Sequence, residues 1–549
     1  MTDEELDNEA LWKLYSPKPN PWFSSEIVYE GWGTATFEKP SGKIEGKTKI
    51  KVEETGKLKV EMNYEELTTD VTIYGDGNFK FLKFLQGNLG KGNAVGIGTN
   101  NINPCSGLKV ETNEGVFTSE GVIFYSEAWK LDGKLSFWIS DGIFDIKDSK
   151  KATYWILPLT NFTSSFHINP HYLLAQHPLR LYSTPTIPDI EDKKKKNIAL
   201  FIANGANTLI GFNFGEKIGY IQPVLEFNER KEKLESGEIK KCITALMISE
   251  ITNHLEEIWF PYDYTNLLSF ASGIKIDAPW VEFRDTDGNL VSRKHITQFD
   301  NEYQKEYAVI NEAIHGGIGH LISVASNSPE FGKPYYRVLI AHLIRLQSYS
   351  RQLEDHMDLL CRTFDTLCEE FNLGTQNLIS YFPEEMQIQI NSILLNAAKQ
   401  IKRLSSTDMR PVLQQIADKV ISAKSKERAF GIAVIDLLKK YELPDVNIME
   451  NYYDQRDETQ EKSWAQTLSK YRGAVVHKGY FAHEHYDVEG ILQLEDHLHD
   501  LLVRIALKTL GYKGNYQPRV IRHLVDEKTV DWLNEESTAA NLGYTTPVI

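Results

Sequence analysis

The stretch KTKIKVEETGKLKVEMNY, from Lys47 to Tyr64, shows the pattern that decides the fold of the first half of the chain. Apolar and polar residues alternate on both sides of Thr55 and Gly56. Alternation with a period of two is typical of a half-buried strand, and a glycine between two such runs is typical of a hairpin turn. The stretch therefore predicts two antiparallel strands joined by a turn.

The same pattern extends over most of the region between Trp22 and Phe283. TIYGDGNFKFLKF and GVFTSEGVIFYSEAWKLDGKLSFWISDG continue the short alternating runs broken by Gly, Asn and Asp. The last clear hairpin signal, EFRDTDGNLVSRK, has its turn around Asp287 and Gly288. One helix is expected in this region, near Ile239 to Trp259. We predict an antiparallel sandwich or barrel-like architecture for this half of the chain.

After about Thr297 the pattern changes to long helical periods with few glycines. YYRVLIAHLIRLQSYSRQLEDHMDLLCRTFDTLCEEF has apolar residues three and four apart and predicts one long helical run. Further helices are predicted at Met386 to Leu404, Pro411 to Ala423, Glu427 to Tyr441, Glu461 to Tyr471, and Tyr486 to Leu510, which Gly511 ends. The predicted fold class is α+β multidomain, with a β-rich half at residues 1–296, a helical connector at 297–334 and an all-α domain at 335–549.

The composition places the chain among soluble globular proteins of the cytoplasm. The chain has 549 residues, of which 41% are hydrophobic, and a formal net charge of −16, which argues against general binding of polyanions. The N-terminus MTDEELDNEALWKLY is acidic where a secretory signal is basic, and no apolar run is long enough to span a membrane. The four cysteines form no C-x-x-C pair, and Cys361 and Cys368 are expected to be buried thiols.

The stretch SKYRGAVVHKGYF, Ser469 to Phe481, contains the two residues that point most directly to chemistry. Arg472 and His477 flank the apolar run Ala474 to Val476, directly after which the chain turns polar again. An arginine can hold phosphate oxygens, and an imidazole titrates near neutral pH and can accept a proton. The alternative is structural, with Arg472 paired to an acid of the helical domain and His477 satisfied at a helix end.

A second histidine cluster follows in FAHEHYD. His483, His485 and Asp487 have the residue types of a zinc site. The preferred interpretation makes Asp487 the N-cap of the last helix, so no metal and no cofactor are predicted. His497 and His499, two apart on that helix, face different directions and are expected at its surface.

The spacing Arg472-Gly-Ala-Val-Val-His477, late in an all-α domain, resembles the R-x4–6-H signature of the HEPN superfamily. VLIAHLIRLQSYSRQLED, Val338 to Asp355, looks like the aliphatic and aromatic first helix of ApeA-like HEPN domains. A β-rich N-terminal half joined to such a domain is similar to the ApeA family of bacterial anti-phage proteins. The resemblance covers the whole layout of the chain, although only these two motifs match closely.

The resemblance implies metal-independent cleavage of RNA in an abortive-infection type of defence. Arg472 and His477 would be the catalytic residues, with His477 as general base for a ribose 2′-OH and Arg472 on the phosphate. It also implies a homodimer or higher homo-oligomer, in which two Arg/His pairs line one cleft. The β-rich half would sense a phage-derived trigger or restrain the nuclease, and no membrane partner is expected.

An RNA substrate needs a basic surface on this acidic chain. Between Lys399 and Arg428, eight basic residues stand against the three acids Asp408, Asp418 and Glu427. Of the eight, Lys419 is the only one not taken as an RNA-binding candidate; the candidates are Lys399, Lys402, Arg403, Arg410, Lys424, Lys426 and Arg428. They form either one wall of an RNA groove or a merely solvated helix face.

Two rival functions accompany this reading. In the first, the helical domain is a non-catalytic HEPN domain that only dimerises or binds a partner. In the second, the aromatic residues of the β-rich half form a ligand- or glycan-binding module, although such residues in strands are usually part of a core.

Overall fold

A computed structural model of the chain divides into two compact units, residues Met1–Gly332 and Lys333–Ile549. The residues that the structure describes are 27–38, 41–53, 56–63, 105–120, 134–139, 141–164, 167–168, 208–214, 217–224, 227–251, 260–296, 302–310, 317–347, 352–373, 375–377, 382–404, 409–423, 425–427, 430–443, 468–469, 472–473, 475–476, 488–513 and 516.

The first unit contains one antiparallel sheet of 14 strands within the described residues. The strands are β1 (Ile27–Glu38), β2 (Ser41–Val52), β3 (Leu58–Asn63), β4 (Cys105–Thr112), β5 (Gly115–Ser119), β6 (Lys134–Ile139), β7 (Gly142–Ile146), β8 (Tyr154–Thr160), β9 (His167–Ile168), β10 (Thr208–Phe214), β11 (Lys217–Pro223), β12 (Ile243–Glu250), β13 (Trp280–Arg284) and β14 (Leu290–His295). Their order in the sheet is β6-β3-β2-β1-β4-β5-β7-β14-β13-β8-β12-β11-β10-β9. The prediction of a β-rich, antiparallel N-terminal half is confirmed.

The opening hairpin forms where the alternation predicts it. Strands β2 and β3 pair from Lys47 with Asn63 to Val52 with Leu58. Gly56, in the turn, has a φ of 89°, a left-handed conformation that favours glycine. On β3 the apolar residues Leu58, Val60 and Met62 are all buried, while their neighbours face outward. The turn at Gly288, with a φ of 84°, joins β13 and β14 as predicted.

One hairpin connects the two parts of this sheet. Strand β14 pairs with β7, and β13 pairs with β8, so the β13–β14 hairpin lies between seven strands on one side and five on the other. The core against which the first group packs includes Tyr29, Phe117, Phe144 and Trp280. The buried side chains of this connecting hairpin include Trp280, Glu282, Arg284, Arg293 and His295.

The prediction of a helix near Ile239 to Trp259 is wrong. Residues Ile243–Glu250 form β12, which is buried along almost its whole length and pairs with β8 and β11. A strand that is buried on both faces has no alternating pattern, so its apolar run looks like a buried helix. The described helices of this unit are α1 (Phe227–Glu235), α2 (Phe260–Ser272) and α3 (Gly317–Asn327).

Helix α3 falls in the predicted connector and packs on the sheet of the first unit. It lies against β10, and a Cβ atom built on Gly319 would come within 2.2 Å of the carbonyl oxygen of Gly211. Only a glycine permits so close an approach of helix and strand backbones. This part of residues 297–334 therefore belongs to the β-rich unit.

The second unit is mainly helical, as predicted, and carries one small ladder. Its described helices include α4 (Pro334–Leu346), α5 (Leu353–Glu370), α6 (Glu384–Arg403), α7 (Arg410–Ser422), α8 (Phe430–Lys440) and α9 (Val488–Leu510), and the ladder joins β15 (Thr375–Asn377) to β16 (Ser425–Glu427). Gly511 ends α9 with a φ of 79°. None of the described helices combines the length and the apolar character needed to cross a membrane.

The predicted long helical run from Tyr335 to Phe371 is two helices, α4 and α5. Helix α4 ends with Gln347 as its C-cap, and α5 begins after Gln352, whose ψ of 147° is extended. Both helices keep their apolar face buried, so the apolar period persists across the break and gives no sign of it.

Helix α9 is buried on all sides, because Leu494 to Leu507 contains almost no exposed residue. The prediction that His497 and His499 are surface residues is wrong, since both are fully buried. Burial, together with the nearby charge of Arg504, lowers the pKa of His497 to about 3.

Candidate active site around Arg472

Arg472 lies on a helical segment that is anchored by its apolar neighbours. Residues 468–469, 472–473 and 475–476 are helical, and Leu468 and Val475 are buried. They are therefore part of the core of the second unit and do not offer an exposed apolar surface.

The guanidinium of Arg472 is held by a carboxylate from α5. Its Nε donates a hydrogen bond to Oδ2 of Asp365 at 3.0 Å, and its Nη2 forms an ion pair with the same oxygen at 2.9 Å. The two side chains are 29% and 32% exposed, so the pair lies at the surface of the unit and is only partly screened by solvent. Asp365 thereby fixes the direction in which the guanidinium points.

A second contact fixes the plane of the same group. Cζ of Arg472 lies 5.0 Å from the centre of the Phe430 ring, at the start of α8. The backbone N–H of the next residue, Gly431, donates to Oγ of Ser469 at 3.0 Å, which ties this helix to the Arg472 segment. Arginine is suited to such stacking because its guanidinium is flat and weakly hydrated.

These contacts occupy one edge of the guanidinium. Within the described residues, Nη1 of Arg472 makes no hydrogen bond, and it belongs to the edge opposite the one that Asp365 accepts from. An arginine oriented through one edge can offer the other edge to a phosphate or carboxylate. The ion pair with an acid, which the structural interpretation of Arg472 predicts, is also present.

Several predicted site residues lie outside the described residues: His477, His483, His485, Asp487, Lys424 and Arg428. Lys426 is in β16, of which only the backbone is described. The pairing of Arg472 with His477 and the choice between a zinc site and an N-cap at Asp487 stay predictions. In the described part of the chain, no group of three or more His, Cys, Asp or Glu residues could hold a metal ion.

The remaining basic candidates gather at one end of the α6–α7 pair. Lys399, Lys402 and Arg403 lie in the last turns of α6, and Arg410 begins α7; all four are exposed. Nζ of Lys402 lies 3.7 Å from Oδ1 of Asp418, a loose contact between two exposed groups. The fold therefore brings four of the seven candidates together on a solvated surface.

The two cysteines of α5 are buried, as predicted. Burial, with a contribution from the charge of Asp365, raises the pKa of Cys361 to about 12, and the pKa of Cys368 to about 12 as well. These thiols stay protonated near neutral pH and are poor nucleophiles or metal ligands.

Sequence reasoning missed Asp365 and Phe430. Asp365 is 107 residues from Arg472 in the chain, and nothing local marks it as a partner. The available signal was its spacing, because it stands four residues after Cys361 and three before Cys368, next to the buried face of α5.

Comparisons of this chain with protein-family models, with curated proteins and with solved structures found no match. Function is therefore inferred from the residues themselves.

Proposed function

We propose that the protein is a HEPN-type endoribonuclease that acts in bacterial anti-phage defence, in the manner of the ApeA family. The helical unit cleaves RNA without a metal ion, in the cytoplasm, and the β-rich unit senses a phage-derived trigger or restrains the nuclease. The observation that carries this proposal is the state of Arg472, whose guanidinium is oriented by Asp365 and Phe430 and whose side chain is 29% exposed.

In the proposed reaction Arg472 binds the scissile phosphate. The free edge of the guanidinium donates to the non-bridging oxygens and offsets the charge that grows on them in the transition state. Asp365 acts as a positioning residue, because it holds the guanidinium without touching the substrate. The negative charge of Asp365 also weakens the attraction between Arg472 and a phosphate. Binding of the phosphate therefore depends more on the geometry of the guanidinium than on net charge.

His477 is the proposed general base. It takes the proton of a ribose 2′-OH, the 2′-oxygen attacks the adjacent phosphorus, and the 5′-oxygen leaves with a proton. The products are a 2′,3′-cyclic phosphate and a 5′-OH end. The basic end of the α6–α7 pair, with Lys399, Lys402, Arg403 and Arg410, provides a surface along which the RNA backbone lies.

A non-catalytic helical domain is the second candidate, and the Arg472–Asp365 ion pair favours it. Arginines that pair with an acid are common in structural roles, and this pair would serve one equally well. In that case the domain dimerises or binds a partner, and the β-rich half binds a ligand or glycan.

Cleavage of total RNA by the purified protein in EDTA separates the two candidates. We expect wild type to cut, and Arg472→Ala and His477→Ala each to reduce the rate by a factor of about 10² to 10⁴. Gly473→Ala is the matched control, because Gly473 is helical and a Cβ atom there meets nothing within 4 Å.

Three outcomes would contradict the proposal. Equal cleavage by wild type and both variants would remove the active site. Loss of wild-type activity in EDTA, restored by zinc or manganese, would favour the metal site at His483, His485 and Asp487. Absence of cleavage by wild type, together with full phage resistance in the His477→Ala strain, would favour the non-catalytic domain.

A further inference from the structure

The surface formed by α4 and α5 carries a histidine that the proposed reaction does not use. His342 lies in the second half of α4 and is partly buried where this helix packs on α5. Its Nδ1 lies 2.8 Å from the hydroxyl oxygen of Thr363, on α5. The ring is thereby held between the two helices. Its other nitrogen, Nε2, forms no hydrogen bond within the described residues and is not among their buried polar atoms.

The hydroxyl of Thr363 decides which ring nitrogen of His342 carries the proton. That hydroxyl donates to the carbonyl oxygen of Leu359, one turn earlier in α5, at 2.6 Å. A hydroxyl has a single hydrogen, so toward His342 the same oxygen can only accept. Nδ1 therefore carries the proton of the neutral ring and donates to Thr363. This tautomer leaves Nε2 as an acceptor whose lone pair is open to solvent.

Two arginines help to keep this imidazole neutral. Arg345 stands one turn after His342 on α4, and Arg362 directly precedes Thr363 on α5. Burial first, and then the charges of Arg345 and Arg362, lower the pKa of His342. At neutral pH the ring is therefore an acceptor and not a cation. We call His342, Arg345 and Arg362 the α4–α5 cluster.

The arginines of the α4–α5 cluster are available to an anion. Arg345 is exposed and has no ion-pair partner among the residues that the structure describes. Arg362 is 64% exposed, and its Nε contacts Oδ2 of Asp358 at 2.7 Å, which orients its guanidinium. The cluster therefore combines exposed N–H donors with one fixed acceptor, Nε2 of His342.

The ligand that fits this combination has an anionic group beside a hydroxyl. Phosphate oxygens suit the arginines, because a guanidinium can bind them through two parallel N–H donors. The lone pair of Nε2 needs a hydrogen, and in a ribonucleotide the 2′-OH supplies one close to the phosphate. A deoxyribonucleotide has the phosphate but lacks this donor. The cluster therefore matches RNA better than DNA.

The α4–α5 cluster lies close to Arg472 along α5. Asp358, Arg362 and Asp365 are spaced four and three residues apart and form one stripe on this helix. Asp365 holds Arg472, and Arg362 is three residues away, a rise of about 4.5 Å along the helix axis. Each acid of the stripe is paired with an arginine, and Arg345 adds a further positive charge. One RNA strand can therefore contact Arg472 and the cluster together.

We propose that the α4–α5 cluster is a second contact site for the RNA strand that Arg472 binds, in which Nε2 of His342 accepts a hydrogen bond from a ribose 2′-OH and the two arginines bind phosphate. The cluster selects RNA over DNA and takes no part in breaking the phosphodiester bond. The proposal rests on RNA being the substrate. His342 is thus a specificity-determining residue, and Thr363 is a positioning residue that fixes its tautomer.

The test is binding of a fluorescently labelled single-stranded RNA, and of DNA of the same sequence, to the full-length protein by fluorescence anisotropy. The background is His477→Ala, so that the RNA stays intact. His342→Ala should weaken RNA binding by about 3- to 10-fold, the worth of one hydrogen bond, and leave DNA binding unchanged. Arg345→Ala should weaken both about equally and make binding less dependent on salt. Lys439→Ala, which removes a charge from an exposed position on α8, is the control and should change neither.

A milder variant separates the contact from any effect on folding. Thr363→Val keeps the shape of the side chain but removes the acceptor that fixes the ring of His342. It should reduce the preference for RNA over DNA several-fold, while circular dichroism shows the helix content of wild type. Equal losses for RNA and DNA in His342→Ala, or full RNA binding in Arg345→Ala, would overturn the proposal.

The result also distinguishes this proposal from the proposed cleavage. If wild type cuts no RNA but His342→Ala loses the preference for RNA, the contact site stands and the cleavage proposal alone is wrong. If wild type cuts RNA but His342→Ala keeps the full preference, the contact site alone is wrong. A protein that binds neither RNA nor DNA would overturn both.

Discussion

The arginines of the two units are held in opposite ways. In the β-rich unit, Arg284 and Arg293 are buried in the connecting hairpin and share one carboxylate, that of Glu282, which is 1% exposed. In the helical unit, Arg472 shares its carboxylate with no second arginine in the described residues and is partly exposed. The same side chain thus appears once in an enclosed network and once at an open surface.

The enclosed network uses both edges of its arginines. Arg284 donates to Oε2 of Glu282 from Nε and Nη2, at 3.0 and 2.6 Å, and to the carbonyl oxygen of Gly288 from Nη1, at 2.8 Å. Arg293 donates to Oε1 of Glu282 at 2.9 Å and to Oη of Tyr29 at 2.8 Å. Although burial raises the pKa of Glu282, the attraction of Arg293 and Arg284 outweighs it and lowers that pKa overall.

The difference separates two uses of arginine. A guanidinium whose two edges are both bonded and buried contributes to the fold and is not accessible to a ligand. A guanidinium that is oriented through one edge and exposed at the other can bind an anion without rearrangement. We therefore expect substitutions in the two places to act on different quantities.

The largest effect is expected for Glu282→Gln. It removes the charge that compensates two buried arginines and should lower the free energy of unfolding by about 3–5 kcal/mol. Thermal unfolding followed by circular dichroism measures this change. The control is Glu111→Gln, which removes an exposed ion pair with Lys109 and should leave the melting temperature unchanged. An equal melting temperature for Glu282→Gln and wild type would mean that the network does not stabilise the fold.

A smaller effect, on a different quantity, is expected for Arg472→Lys. Lysine keeps the charge but cannot bond Asp365 and a phosphate through two edges, so RNA cleavage should fall about 10²-fold. The free energy of unfolding should change by less than about 1 kcal/mol, because the pair is partly exposed. A loss of stability with unchanged cleavage per folded molecule would place Arg472 with Arg284 and Arg293 as a structural arginine.

The smallest effect concerns pH and the histidine at the edge of the enclosed network. The hydroxyl of Tyr29 accepts a hydrogen bond from Arg293, and the same oxygen lies within hydrogen-bonding distance of Nε2 of His295, at 3.0 Å. Burial, and then the charge of Arg293, lower the pKa of His295 well below its ordinary value.

The sign of the pH dependence follows from this direction. The unfolded chain binds the proton of His295 more readily, so stability is complete above about pH 6.5 and falls by about 1.4 kcal/mol per pH unit below it. Thermal unfolding at pH 7.5 and 5.5 measures the slope, and His295→Gln, which keeps a hydrogen-bonding group for Tyr29 but does not titrate, should reduce it. A slope that is the same in both proteins would contradict the assignment.

The parts of the fold that the sequence predicts are those encoded by local patterns. The β2–β3 hairpin and the turn at Gly288 follow from alternation and glycine placement within a few residues. Strand β12 could not be recognised, because burial on both faces removes the alternation. The break between α4 and α5 was missed because both helices keep the same apolar period.

The candidate site also combines a local sequence pattern with contacts between distant segments. The spacing of Arg472 and His477 is a local signature that a sequence displays. The partner of Arg472, Asp365, is brought to it by the packing of α5, and the ring of Phe430 by the start of α8. Contacts between distant segments depend on the whole fold, so no short window of the sequence contains them.

The position of the β13–β14 hairpin in the sheet also has a consequence for synthesis on the ribosome. Strands β7 and β8 emerge early, yet the strands that pair with their open edges, β14 and β13, follow only near residue 295. Until then the nascent chain exposes two unpaired strand edges, which are prone to pair with other chains. Completion of the sheet depends on contacts between segments far apart in the chain, so this unit is expected to fold slowly and to need protection by chaperones.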